Sequence, residues 1–172
     1  MARSIAEHEM TTVAGYRLLT LRDQDNDAGV GSSAAIDRLK TSIVAGTGYE
    51  LFISCVQDLF PVTARVVVWD GEPEAEPGGM PRLPLECPTG LLVLGSPTGE
   101  VTDFTLPPGP GEYHVAVSHA GRDEAERVRR TVLERLGSDP DALDELDRYA
   151  GLERYAIDLW YAGPVDDEDD VE

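Results

Sequence analysis

Tyr49–Val56, YELFISCV, places Tyr49, Leu51, Ile53 and Cys55 on one side of an extended chain, and this period of two decides the reading of everything after it. Thr63–Asp70, TARVVVWD, is rich in β-branched residues, which favour a pleated, half-buried surface. Leu91–Leu94 and Glu100–Leu106 flank GSPTG and read as a hairpin. The turn PPGPG (Pro107–Gly111) leads into EYHVAVSHA, where Tyr113, Val115 and Val117 oppose Glu112, His114 and Ala116. The last alternating stretch, LERYAIDLWYAG, sets Tyr155, Ile157, Leu159 and Tyr161 against Arg154, Asp158 and Trp160. Strands with one apolar face need a second layer. The expected fold is therefore mainly β, an antiparallel β-sandwich of about seven strands.

Working outward, Arg122–Leu136 carries Ala125, Val128, Val132, Leu133 and Leu136 at helical spacing, and Gly137 follows them. Asp139-Pro140 opens a second short helix, aspartate as cap and proline in the first turn. This helical excursion, about 122–149, precedes the last strand. Upstream, residues 1–10 read as a loose start, Thr11–Leu21 as a strand and RDQDNDAGVGSS as a mobile loop. Ser33–Val44 has Ile36, Leu39 and Ile43 at helical spacing, with Ser32 or Ser33 as N-cap. Gly71–Pro84, with four prolines and three glycines, reads as a surface loop. The expected organisation is an N-terminal strand, loop and short helix over 1–48, a β-sandwich domain over 49–163 and a disordered acidic tail over 164–172. Whether residues 1–48 join the sandwich is open at this level.

The 172 residues carry 33 acidic and 14 basic side chains, a net charge of −19. Six of the acids fall in the last seven residues, Asp166–Glu172, so the body is acidic as well. Such a surface repels phosphate backbones and anionic membranes, because nucleic-acid binding depends on Lys and Arg displacing counterions. It attracts a basic protein instead. Lys40 is the sole lysine beside 13 arginines, the codon bias of a high-GC bacterium. No apolar run approaches the roughly 20 residues of a membrane span, and the start lacks the basic-then-apolar pattern of a secretory signal. The expected compartment is the cytoplasm, where Cys55 and Cys87 stay reduced.

Asp23, Asp25 and Asp27 alternate as calcium ligands do, but Ala28 and Ala34 stand where the loop needs glycine and glutamate, so a solvated acidic loop fits better. His114 and His119, an odd number apart, point to opposite faces of a strand and share no metal. Glu112 and His114 share a face, without a nucleophile beside them. No metal site, cofactor or catalytic constellation emerges. Trp160 is different: its phase puts an indole with Arg154 and Asp158 just before the acidic tail, a composition suited to a protein interface. The alternative is that the helices of 122–149 cover it. The candidate partner-binding set is Arg154, Asp158, Trp160, Asp166, Asp167, Glu168, Asp169 and Asp170.

LFISCVQDLF, LPPGPGEYHVAV and RYAIDLWYA together resemble the small bacterial β-sandwiches related to competence protein J. Gln57 and Phe60 match in the first element, and Gly111–Tyr113 in the second. The resemblance implies a nuclease inhibitor or immunity protein. The reading is thus a non-catalytic acidic bacterial domain that binds a protein partner, a basic nuclease or toxin. Its alternatives are an assembly component that self-associates as a homo-oligomer and a weak divalent-cation module.

Overall fold

The computed structural model describes residues 1–26, 29–74 and 81–166. Among the described residues, ten strands form two five-stranded sheets. They are β1 (Ser4–Thr12), β2 (Leu18–Asp23), β3 (Val44–Gly46), β4 (Glu50–Ser54), β5 (Val62–Trp69), β6 (Leu83–Cys87), β7 (Leu91–Gly95), β8 (Val101–Thr105), β9 (Gly111–Ala120) and β10 (Arg154–Gly163). Sheet A has the order β1-β5-β10-β9-β6 and sheet B the order β3-β4-β2-β7-β8.

The alternating rows meet between the sheets. Val62, Ala64, Val66 and Val68 of β5, Tyr113, Val115 and Val117 of β9, and Tyr155, Ile157 and Leu159 of β10 come from sheet A. Leu19, Leu21, Leu51, Ile53, Leu92 and Leu94 come from sheet B. Burying each large aliphatic side chain contributes about 1.5–3 kcal/mol, so this row-on-row contact dominates the stability of the fold.

Three strands beyond the expected seven lie at sheet edges, where the sequence signal is weakest. β1 occupies most of the supposed loose start; Glu7 and Glu9 break its apolar pattern, as charges on edge strands do. β3 has three residues. β6 runs through Pro84, assigned above to the loop, because an edge strand tolerates a residue with no N–H to give. The expected single strand Thr11–Leu21 is two strands in different sheets, broken at Gly15–Arg17. There Tyr16 and Arg17 adopt φ of 54° and 59°, and the Gly15 N–H donates to Ser96 Oγ at 2.6 Å. Through β1, β2 and β3 the first 48 residues enter both sheets.

Seven of the eight strand pairings are antiparallel, but β10 runs parallel to β5. The reason is the helical excursion. α2 (Arg122–Leu136) and a 3-10 helix (Pro140–Tyr149) carry the chain away from β9, and it returns beside β9 to fill the gap next to β5. Gly121, φ 79°, makes this exit possible: a Cβ there would lie 1.8 Å from the Leu152 carbonyl oxygen. Asp139 caps the second helix by accepting from the Asp141 N–H at 3.0 Å. α1 (Ser32–Arg38) is shorter than expected and follows Gly31 with no side-chain cap. Its C-terminal neighbours from Val44 pair with β4 instead, as β-branched residues favour.

Candidate functional site

Alternate residues of β5, β9 and β10 that do not enter the core make the outer face of sheet A. The register places Asp158 between Val67 and Ala116, and Trp160 between Trp69 and His114. The indole of Trp160 thus does stand on the polar side, opposite the core row. It is nonetheless only 6% exposed. The cover is not the helices, which follow Ala120 and precede Arg154 at the other end of β10, about 20 Å from Trp160 at the rise of a strand. His114 lies with ring centres 5.6 Å away, and the Arg82 guanidinium sits 5.9 Å from the indole centre. Trp69 Nε1 donates to Asp158 Oδ1 at 2.9 Å. Trp160 is therefore the floor of an aromatic and charged patch, while Asp158 is held as an acceptor within it.

Arg154 is exposed at the opposite end of the same face. With Glu9, Thr63, Arg65 and Ser118 it lines a shallow groove between β1 and β9. Arg65 Nη2 meets Glu7 Oε2 at 2.7 Å across β1 and β5. Asp166 is exposed after β10. Asp167, Glu168, Asp169 and Asp170 lie outside the described residues. Tyr161, expected in the core row, is instead 42% exposed and packs edge-on against the buried Tyr113 opposite it, with ring centres 5.7 Å apart.

Sequence reasoning missed a buried polar knot at the helical end. Glu153, fully buried, accepts from the Val56 N–H at 2.9 Å, from Gln57 Nε2 at 3.1 Å and from the Tyr155 hydroxyl. Arg122 Nη1 donates to the Tyr155 hydroxyl at 2.6 Å and to the Ser54 carbonyl at 2.5 Å. Gln57 Oε1 accepts from the Leu59 and Phe60 N–H groups, both at 2.9 Å. Burial pushes the Cys55 thiol up to about 12, the Glu153 charge adding to it, so this thiol is not a nucleophile. Both cysteines are free and buried, and burial raises Cys87 likewise. The knot ties the β4–β5 connection, the start of α2 and the start of β10 together. Its only sequence signal was the Gln57–Phe60 pair.

Asp23 belongs to the fold rather than to a loop ligand set. Its carboxylate is buried and accepts from the N–H groups of Asp25 at 3.0 Å, Thr89 at 3.2 Å and Gly90 at 3.0 Å, and from Thr89 Oγ1 at 2.8 Å. Its lone pairs are occupied, Asp25 is exposed, and Asp27 lies outside the described residues. Among the described residues no three His, Cys, Asp or Glu side chains converge to hold a metal, and no helix is long and apolar enough to cross a membrane.

No family model and no curated protein matches the sequence. Solved structures match its fold. ComJ from Bacillus subtilis, described as an inhibitor of the DNA degrading activity of NucA, superposes with a TM-score of 0.53 over 94% of this chain and 99% of its own, at 14% identity. The chain shares the fold of ComJ. The protein of crocagin biosynthetic gene J matches with a TM-score of 0.54, at 17% identity, over 91% of this chain and 99% of its own. The fold-level resemblance read from LFISCVQDLF, LPPGPGEYHVAV and RYAIDLWYA is therefore real and wider than those segments. A match over 94% of this chain is too long to be confined to them and reaches into the first 48 residues.

Proposed function

We propose that the chain is a non-catalytic interaction domain that holds a basic protein partner, in the manner of a nuclease inhibitor or immunity protein. The supporting observation is a net charge of −19 on a fold shared with a nuclease inhibitor over nearly its whole length. Opposite charge raises encounter rates and orients the partner before contact. Docking then falls to the outer face of sheet A, where Arg154 and Asp166 are exposed and Asp158 and Trp160 form the floor. Asp166, Asp167, Glu168, Asp169 and Asp170 follow β10 in the sequence and add to the negative charge. Because Trp160 is covered by Arg82 and His114, its role in this reading is to shape the patch rather than to project into the partner.

The experiment is the association rate of the chain with a cationic nuclease, followed together with loss of DNA cleavage. The rate should fall about tenfold or more from low to physiological salt, and deletion of residues 165–172 should lower it at low salt. A rate indifferent to both salt and deletion would reject electrostatic steering, and unimpaired cleavage in the complex would reject the inhibitor role.

A further inference from the structure

We infer that the outward edge of β1 is a docking strand for an extended basic segment of a protein partner, which would add to sheet A as a sixth strand. The inference rests on the partner reading above and places that partner's first contact.

The two sheets present four edge strands, and they are not equivalent. β6 and the β3–β4 turn close one flank: the Glu86 N–H donates to the Gly48 carbonyl at 2.8 Å, and Asn26 Nδ2 bridges the carbonyls of Tyr49 and Glu86. On the other flank lie β1 and β8. Among the described residues β1 pairs with β5 alone, β8 pairs with β7 alone, and no hydrogen bond joins β1 to β8. They meet through side chains: His8 stacks on Phe104 with ring centres 4.2 Å apart, and Ala6 and Met10 pack against the core.

β1 is nine residues long, and one edge of it is a row of backbone donors and acceptors without a strand to meet them. Such an edge binds extended chains through the backbone and selects them through alternate side chains. The outer row of β1 carries Glu7 and Glu9, both exposed, two residues apart and so on one face. Arg65 on the β5 side already pairs with Glu7 at 2.7 Å and stands opposite Glu9, so one cation faces two carboxylates; an incoming strand with Lys or Arg at alternate positions adds cations on the other side, opposite both. Cross-strand pairs of opposite charge are favourable, and like charges directly opposite are not. That second rule disfavours another copy of this chain as the occupant. Two antiparallel β1 strands related about His8 would oppose Glu7 to Glu9 twice, on a body already strongly acidic.

The probe is a nine-residue peptide alternating lysine and threonine, added to the full chain. It should slow amide exchange across Ser4–Thr12 about tenfold or more, the signature of new edge pairing. The same peptide N-methylated at alternate residues, or with glutamate in place of lysine, should leave those amides unchanged. The double variant Glu7→Lys, Glu9→Lys should lose the protection. The milder pair Glu7→Gln, Glu9→Gln should weaken it and serves should the reversal disturb folding. Protection elsewhere, none at all, or protection that survives charge reversal would overturn the proposal. So would a dimer of the unmodified chain with its β1 amides already protected. A cationic nuclease bound equally by wild type and the double variant would reject this placement and leave the partner reading standing. A protected β1 in a chain that binds no basic protein would do the reverse.

Discussion

The flank closed by β6 and the β3–β4 turn is stitched between sheets by backbone and side-chain hydrogen bonds, whereas β1 and β8, among the described residues, meet only through side-chain packing, with His8 stacked on Phe104. The closed flank spends its polar groups on itself; Asp23, Asn26 and Glu86 all face partners within the chain. The open flank keeps one backbone edge unpaired among the described residues, and its carboxylates Glu7 and Glu9 lie on the exposed face with Arg65, which pairs with Glu7 at 2.7 Å. One flank thus adds hydrogen bonds to the apolar contact between the layers, and the other presents an unpaired strand edge among the described residues.

The contrast breaks most readily at Asp23. Asp23→Ala removes the acceptor of four donors from a buried site, and urea denaturation should show a loss of about 3 kcal/mol or more. A loss under about 1 kcal/mol would mean that the closed flank is not held by this carboxylate. His8→Ala, on the open flank, should lower stability by only about 0.5–1.5 kcal/mol, the worth of a ring pair. A cost as large as that of Asp23→Ala would erase the distinction between the flanks. The smallest effect is at Glu50, beside the β3–β4 turn. Burial raises its carboxyl, with Arg22 and a hydrogen bond from Ser32 partly opposing. A raised carboxyl favours folding at acid pH and loses that contribution as pH climbs through its folded value. Glu50→Gln should therefore raise Tm slightly at neutral pH, with the gap closing as pH falls into the ordinary carboxylate range. A gap that widens on acidification would reverse the sign.

The core was legible because burial of one face leaves a period of two in β5, β9 and β10, and a 3.6-residue stripe in α2. The phase of Trp160 was legible for the same reason. Its cover was not: Arg82 arrives from the far end of a proline-rich connection that has no periodicity to read. Nor could local pattern find the polar knot, since Gln57 and Glu153 meet across 96 residues of sequence. The edges were lost through their own chemistry. β1 is masked by carboxylates and β6 by a proline, the features that keep unpaired strands from joining at random. The break at Gly15–Arg17 hides in an alternating pattern that continues on both sides while the chain changes sheets.

β10, the strand made last among the ten, lies at the centre of sheet A between β5 and β9. During synthesis β5 and β9 therefore stand apart with their pairing sides bare until Arg154–Gly163 has emerged. Contacts of such long sequence separation form slowly, and exposed strand edges are where nascent chains meet the wrong neighbour. Substitutions in Tyr155–Leu159 should thus act on yield in the cell before they act on the finished protein, and chaperone dependence should track that short stretch more closely than any other.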